Sequence, residues 1–148
     1  SLDRWFYATR STAQLRRSMI TYSVVRMAPQ SRIIAVIEDE PASAEALAMV
    51  LRDWGAEVAV GADPGDIAAQ LGPRVAQIGW IITDFNLGDG PDGITRVDRI
   101  TSSAPDARVL VLSGEMNRHA AAAASKAGFE VMDKPARPDK IVAWLERA

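Results

Sequence analysis

The chain has 148 residues, a formal net charge of −2, 48% hydrophobic and 24% charged residues, and no cysteine. This length suits one domain with a real core, and the missing thiols exclude disulfides, thiolate metal sites and a cysteine nucleophile. The single His119 excludes a histidine metal cluster and reads as a helix-surface residue in an alanine-rich run, and no apolar run approaches the ~20 residues that a membrane span needs.

Residues 1–31 differ in composition from the rest of the chain. Five arginines (Arg4, Arg10, Arg16, Arg17 and Arg26) stand there against Asp3 alone, a net +4, which leaves the remainder at −6. An acidic body argues against nucleic acid as the main partner. Leu15, Met19 and Tyr22 fall at helical spacing and allow one short amphipathic helix. Four readings stay open for this N-terminal extension: a helix packing on the domain or on a second copy, a linker, a translated upstream extension with Met27 as the start, or a segment resembling a transit peptide.

From Arg32 the pattern is regular. Ile33–Ile37 reads as a buried strand ending in Glu38-Asp39-Glu40. Pro41 suits a first helical turn, Ala44, Leu47, Val50, Leu51 and Trp54 supply one apolar face, and Gly55 stops the helix. Residues 57–60 form a short strand, and Asp63-Pro64-Gly65-Asp66 starts a helix that runs to Leu71. Residues 80–83 are a third strand, with Asp84 at its tip and a loop rich in glycine behind it. Next come a helix over 94–102, a strand over 108–112 ending at Ser113-Gly114, and a helix over 117–127. The fifth strand, 129–132, ends at Asp133-Lys134-Pro135, and the last helix, 139–147, turns Ile141, Val142 and Leu145 inward. Five strands alternating with five helices predict an α/β fold with a parallel sheet and right-handed crossovers.

A parallel sheet brings the carboxyl ends of its strands to one edge, where such folds bind ligands. Glu38 and Asp39, Asp84, Ser113 and Lys134 all stand at such ends. Three close carboxylates repel one another unless a cation holds them, and hard oxygen ligands suit Mg²⁺. A lysine opposite pairs with a phosphate oxygen, and a hydroxyl holds another. Such a set stabilises phosphoryl transfer by position and charge, with Asp84 as the nucleophile that becomes an aspartyl phosphate.

Over roughly residues 32–147 the sequence resembles the receiver domain of two-component response regulators. The resemblance implies a flavodoxin-like doubly wound sheet in the order 2-1-3-4-5, with 1–31 as extension or linker and 32–148 as receiver. It implies that Glu38 and Asp39 hold the metal with Asp84 and the backbone carbonyl of Asn86, that Asp84 is the phospho-acceptor, that Ser113 is the switch hydroxyl, and that Lys134 is the lysine whose bond to proline is often cis. The partner implied is a histidine kinase or phosphotransfer protein in the cytoplasm. Self-association is available through the last two helices or the N-terminal segment. The sequence reads as a stand-alone receiver or a piece of a larger protein, and the output expected is protein contact. The stretch 128–138 is most similar to receivers of hybrid sensor histidine kinases. Two positions depart from the family pattern: Val131 stands where an aromatic is usual, which puts an aromatic swing in doubt, and Glu38 replaces the commoner aspartate.

Two other classes compete. A phosphatase of the haloacid-dehalogenase type carries a general acid two residues after its nucleophile, and Asn86 cannot serve there. A receiver-shaped module that is never phosphorylated would not need the full acidic set and Lys134.

Overall fold

Every residue of Ile33–Ile37 (β1) is buried, because this strand lies inside the sheet and both of its faces are covered. In the computed structural model the described residues are 32–84, 93–114 and 118–147, with the side chains of 93–96 and 118–121 left out. The expectations for residues 1–31, Asn86 and the start of a helix at Asn117 lie outside them.

The elements alternate along the chain: β1, Pro41–Trp54 (α1), Glu57–Gly61 (β2), Pro64–Leu71 (α2), Ile78–Asp84 (β3), Gly93–Ser103 (α3), Arg108–Ser113 (β4), Arg118–Lys126 (α4), Glu130–Asp133 (β5) and Pro138–Glu146 (α5). All strand pairs are parallel, in the order β2-β1-β3-β4-β5. The architecture expected from the sequence is the one observed. β1 lies between β2 and β3, so the connections leave it in opposite directions and open a crevice at its carboxyl end.

Period-two alternation sorts the strand side chains onto two cores. Ile33, Ala35 and Ile37 join Ile67, Leu71, Ile81, Val97, Ile100 and Ala124 on the side of α2, α3 and α4. Ile34 and Val36 join Leu51, Ile82, Leu110, Ile141, Trp144 and Leu145 on the side of α1 and α5. β2 is an edge strand and is buried only at alternate positions.

Local chemistry fixes the helix ends. Gly55 takes φ 109°, and the N–H groups of Gly55 and Ala56 bond the carbonyls of Arg52 and Leu51, which satisfies the end of α1. Asp63 accepts from the Asp66 N–H at 3.0 Å, while Asp66 accepts from the Ala62 N–H at 3.0 Å. Arg108 closes α5 by donating to the carbonyls of Trp144 (3.0 Å) and Arg147 (2.6 Å).

Some details differ from the sequence expectation, among them β5, which runs over Glu130–Asp133 rather than 129–132. β3 begins at Ile78 rather than Trp80, and Gly72–Gln77 forms a 3₁₀ helix after α2. On α1 the residues against the sheet are Ala44, Ala48 and Leu51, with Leu47, Val50 and Trp54 half-buried at the flank. On α5 Trp144 fills the core with Ile141 and Leu145, and Val142 is half-buried.

Candidate functional site

The carboxyl edge of the sheet carries the site. The β1–β2 ladder continues one residue past β1, where the Glu38 N–H bonds the Gly61 carbonyl at 3.0 Å. The backbone of Glu38 is thereby held in line with the strand. Its carboxylate turns back and accepts from the Glu40 N–H at 3.0 Å. Asp84 is the last residue of β3, opposite Leu112 of β4, and is buried with 6% exposure. Ser113, also buried, is the last residue of β4. The Lys134 N–H bonds the Ser113 carbonyl at 2.8 Å, which ties the end of β5 to the end of β4. The Ser113 hydroxyl lies 3.3 Å from the Gly114 carbonyl.

These anchors bring the side chains of Glu38, Asp39, Asp84 and Lys134 together, while the Ser113 hydroxyl faces the Gly114 carbonyl. Carboxylate oxygens of Glu38, Asp39 and Asp84 all lie within 4.8 Å of one another. The Lys134 Nζ lies 2.7 Å from Asp84 Oδ1 and 3.9 Å from Glu38 Oε2. The Lys134–Pro135 peptide bond is cis. Asn86 lies outside the described residues.

Among the described residues, three acids share one ammonium. Burial pushes the Glu38 carboxyl up to about 7; the hydrogen bond and charge of Asp84 add to this, while the Glu40 N–H and Lys134 oppose it. An all-oxygen donor set that drives one of its members toward neutrality fits a hard divalent cation. Asp39 is the exposed member, so the cluster faces solvent on that side.

Sequence reasoning missed two features. One is the Glu40 N–H, whose role depends on the local turn of Glu38. The other is a groove of about 490 Å³ between α1 and α5, lined by Leu47, Val50, Pro135 and Ile141 and ending at Glu38 and Lys134. Its only sequence signal is the apolar flank of α1 that exceeds what the sheet covers. Among the described residues no helix is long and apolar enough to cross a membrane.

Residues 34–146 match the model of the response regulator receiver domain. The chain belongs to that family. A nitrogen assimilation regulatory protein NtrX of Azorhizobium caulinodans is 31% identical over 117 residues, 78% of this chain and 25% of the relative. A response regulator from Burkholderia pseudomallei, solved with a phosphorylated aspartic acid, calcium ion and citrate, is 29% identical, with a TM-score of 0.65, over 78% of this chain and 66% of that one. NtrX from Brucella abortus, solved with ATP, is 27% identical, with a TM-score of 0.68, over 79% of this chain and 26% of that one. The receiver spans about a quarter of the length of the curated relatives it matches. None of these three is named as a hybrid sensor kinase, and the finer likeness read from 128–138 gains no support from them.

Proposed function

We propose that this receiver accepts a phosphoryl group on Asp84 from a histidine kinase or phosphotransfer protein and signals by changing its protein contacts. The observation that carries the reading is one buried carboxylate flanked by two further acids and a lysine at 2.7 Å. The phosphorylated aspartate and the cation of the Burkholderia relative support it.

Glu38, Asp39 and Asp84, with the backbone carbonyl of Asn86, would hold Mg²⁺. Bound there, the ion would supply positive charge to the phosphoryl oxygens. An Asp84 oxygen attacks phosphorus, the bond to the donor imidazole breaks, and that imidazole takes up a proton as it leaves. Lys134 turns its ammonium from the Asp84 carboxylate to a phosphoryl oxygen. The buried Ser113 hydroxyl turns from the Gly114 carbonyl toward another. The apolar groove between α1 and α5 offers the donor protein a surface beside the pocket. We assign the protein to the cytoplasm on the same reading.

Phosphorylation adds about −1.5 to −2 charge and three acceptor oxygens. Ser113 and Gly114 would shift toward them and carry α4 along. Val131 packs half-buried against the core where receivers usually hold an aromatic. Output therefore runs through a repacked α4–α5 surface instead of an aromatic swing. Acetyl phosphate with Mg²⁺ tests the reading by intact mass: one phosphoryl group per chain supports it. Continued release of phosphate from an ester, beyond one equivalent, would favour the phosphatase class instead.

A further inference from the structure

Lys134 sits at the tip of a β–α hairpin. β5 rises to it, the cis peptide bond to Pro135 turns the chain, and α5 runs back. Among the described residues β5 is a four-residue edge strand, paired with β4 alone, from Leu110↔Glu130 to Ser113↔Asp133. A strand this short, with one ladder, is weakly held against tilting. Its two arms end together at the far side of the sheet, and there the structure has a clasp.

Arg108, the first residue of β4, is the centre of the clasp. Its guanidinium lies 5.0 Å from the centre of the Trp144 ring and donates to the Trp144 and Arg147 carbonyls at the end of α5. Its other nitrogen donates to Glu130, at the start of β5, at 3.2 Å. Glu130 also accepts from the Trp144 indole N–H and from Arg147 at 3.5 Å. One guanidinium and one carboxylate thus join both arms of the hairpin to the central sheet. A flat five-donor fork is suited to this, and an ammonium is not. Exposed ion pairs contribute little to stability, yet three side chains, Arg108, Trp144 and Arg147, converge here on a half-exposed glutamate.

We propose that Glu130 and Arg108 are positioning residues for Lys134: they close the open end of the β5–α5 hairpin and so fix its tip, and the ammonium, against Asp84. This rests on Asp84 being the phosphoryl acceptor, which labelling of the unaltered protein tests separately. The acids of the pocket stand on β1 and β3, outside the hairpin. Loosening the clasp therefore disturbs Lys134 and leaves the metal-binding carboxylates in place.

The test is Glu130→Ala, with labelling by acetyl phosphate at saturating Mg²⁺ and Mg²⁺ affinity measured in parallel, both well below the melting temperature. We expect the labelling rate to fall about tenfold, since small misplacements of a reacting group cost up to ~100-fold. Mg²⁺ affinity should not weaken. Glu130→Gln, which keeps an oxygen acceptor for the indole and the guanidinium, should recover most of the rate. Where Glu130→Ala is too unstable to assay, Arg108→Lys keeps the charge, lacks the fork and should show the same selective loss. An unchanged rate, or a rate and a Mg²⁺ affinity that fall together, overturns the proposal. If the unaltered protein takes no label, the acceptor reading fails, and this proposal fails with it.

Discussion

Lys134 Nζ lies 2.7 Å from Asp84 Oδ1, although the two residues are 50 positions apart in the chain and stand at the ends of β5 and β3, which are not neighbours in the sheet. β4 stands between β3 and β5, so the lysine reaches across the end of an intervening strand. Among the described residues it is the one cation paired with Glu38 and Asp84.

Removal of that cation should weaken the metal-free protein and strengthen metal binding. In Lys134→Ala, Asp84 and Glu38 lose their ammonium and face each other across a partly desolvated pocket. The side chain is 31% exposed, so the loss is smaller than for a fully buried pair, about 1–2 kcal/mol. Urea unfolding without Mg²⁺ should read this, and added Mg²⁺ should restore more stability to the variant than to the parent.

Glu38 sets a pH dependence. Its carboxyl is raised from 4.5 to about 7 by burial and by Asp84. Between those values the folded chain holds a proton that the unfolded chain has released. The stabilising contribution of that proton is thus complete below about pH 4.5 and lost as pH rises through about 7. Metal binding runs the other way, because the cation displaces the proton. Apparent Mg²⁺ affinity should rise with pH until about 7 and then level, with proton release on binding below that point. An affinity that is flat from about pH 6 to 8 would contradict this.

Trp144 should be the costliest single truncation on α5. It is 1% exposed, packs with Ile141 and Leu145, and donates its indole N–H to Glu130. Trp144→Ala should destabilise the chain by about 3–5 kcal/mol in chemical denaturation. Val142→Ala should cost less than about 1 kcal/mol.

Gly61 tests the β2–α2 junction. A Cβ there would stand 2.6 Å from the Asp66 Cβ, whose backbone position is fixed by its two cap bonds. Gly61→Ala should cost about 1–3 kcal/mol. Since Glu38 bonds the Gly61 carbonyl, the same variant should lower Mg²⁺ affinity.

The contrast between Trp144 and Val142 shows where the sequence was legible. β1 could be read outright, since an unbroken apolar run without alternation has no place in a sheet covered on one face only. The gathering of Glu38, Asp39, Asp84 and Lys134 followed from parallel topology alone. Helix faces were harder. The stripe Leu47, Val50 and Trp54 and the stripe Ala44, Ala48 and Leu51 both fit a 3.6-residue period, and small alanines let α1 approach the sheet closely. Gly79 hid the start of β3, because a glycine inside a strand weakens the strand signal. The clasp was out of reach: Arg108 meets Glu130, Trp144 and Arg147 at separations of 22 to 39 residues, and nothing local marks such a meeting.

The most direct measurement is peptide-level mass spectrometry on the protein and on Asp84→Asn after treatment with acetyl phosphate and Mg²⁺. The account predicts one phosphoryl group on the peptide that carries Asp84, and none on the variant. Equal labelling of both proteins, or a label on another residue of the unaltered chain, would contradict it.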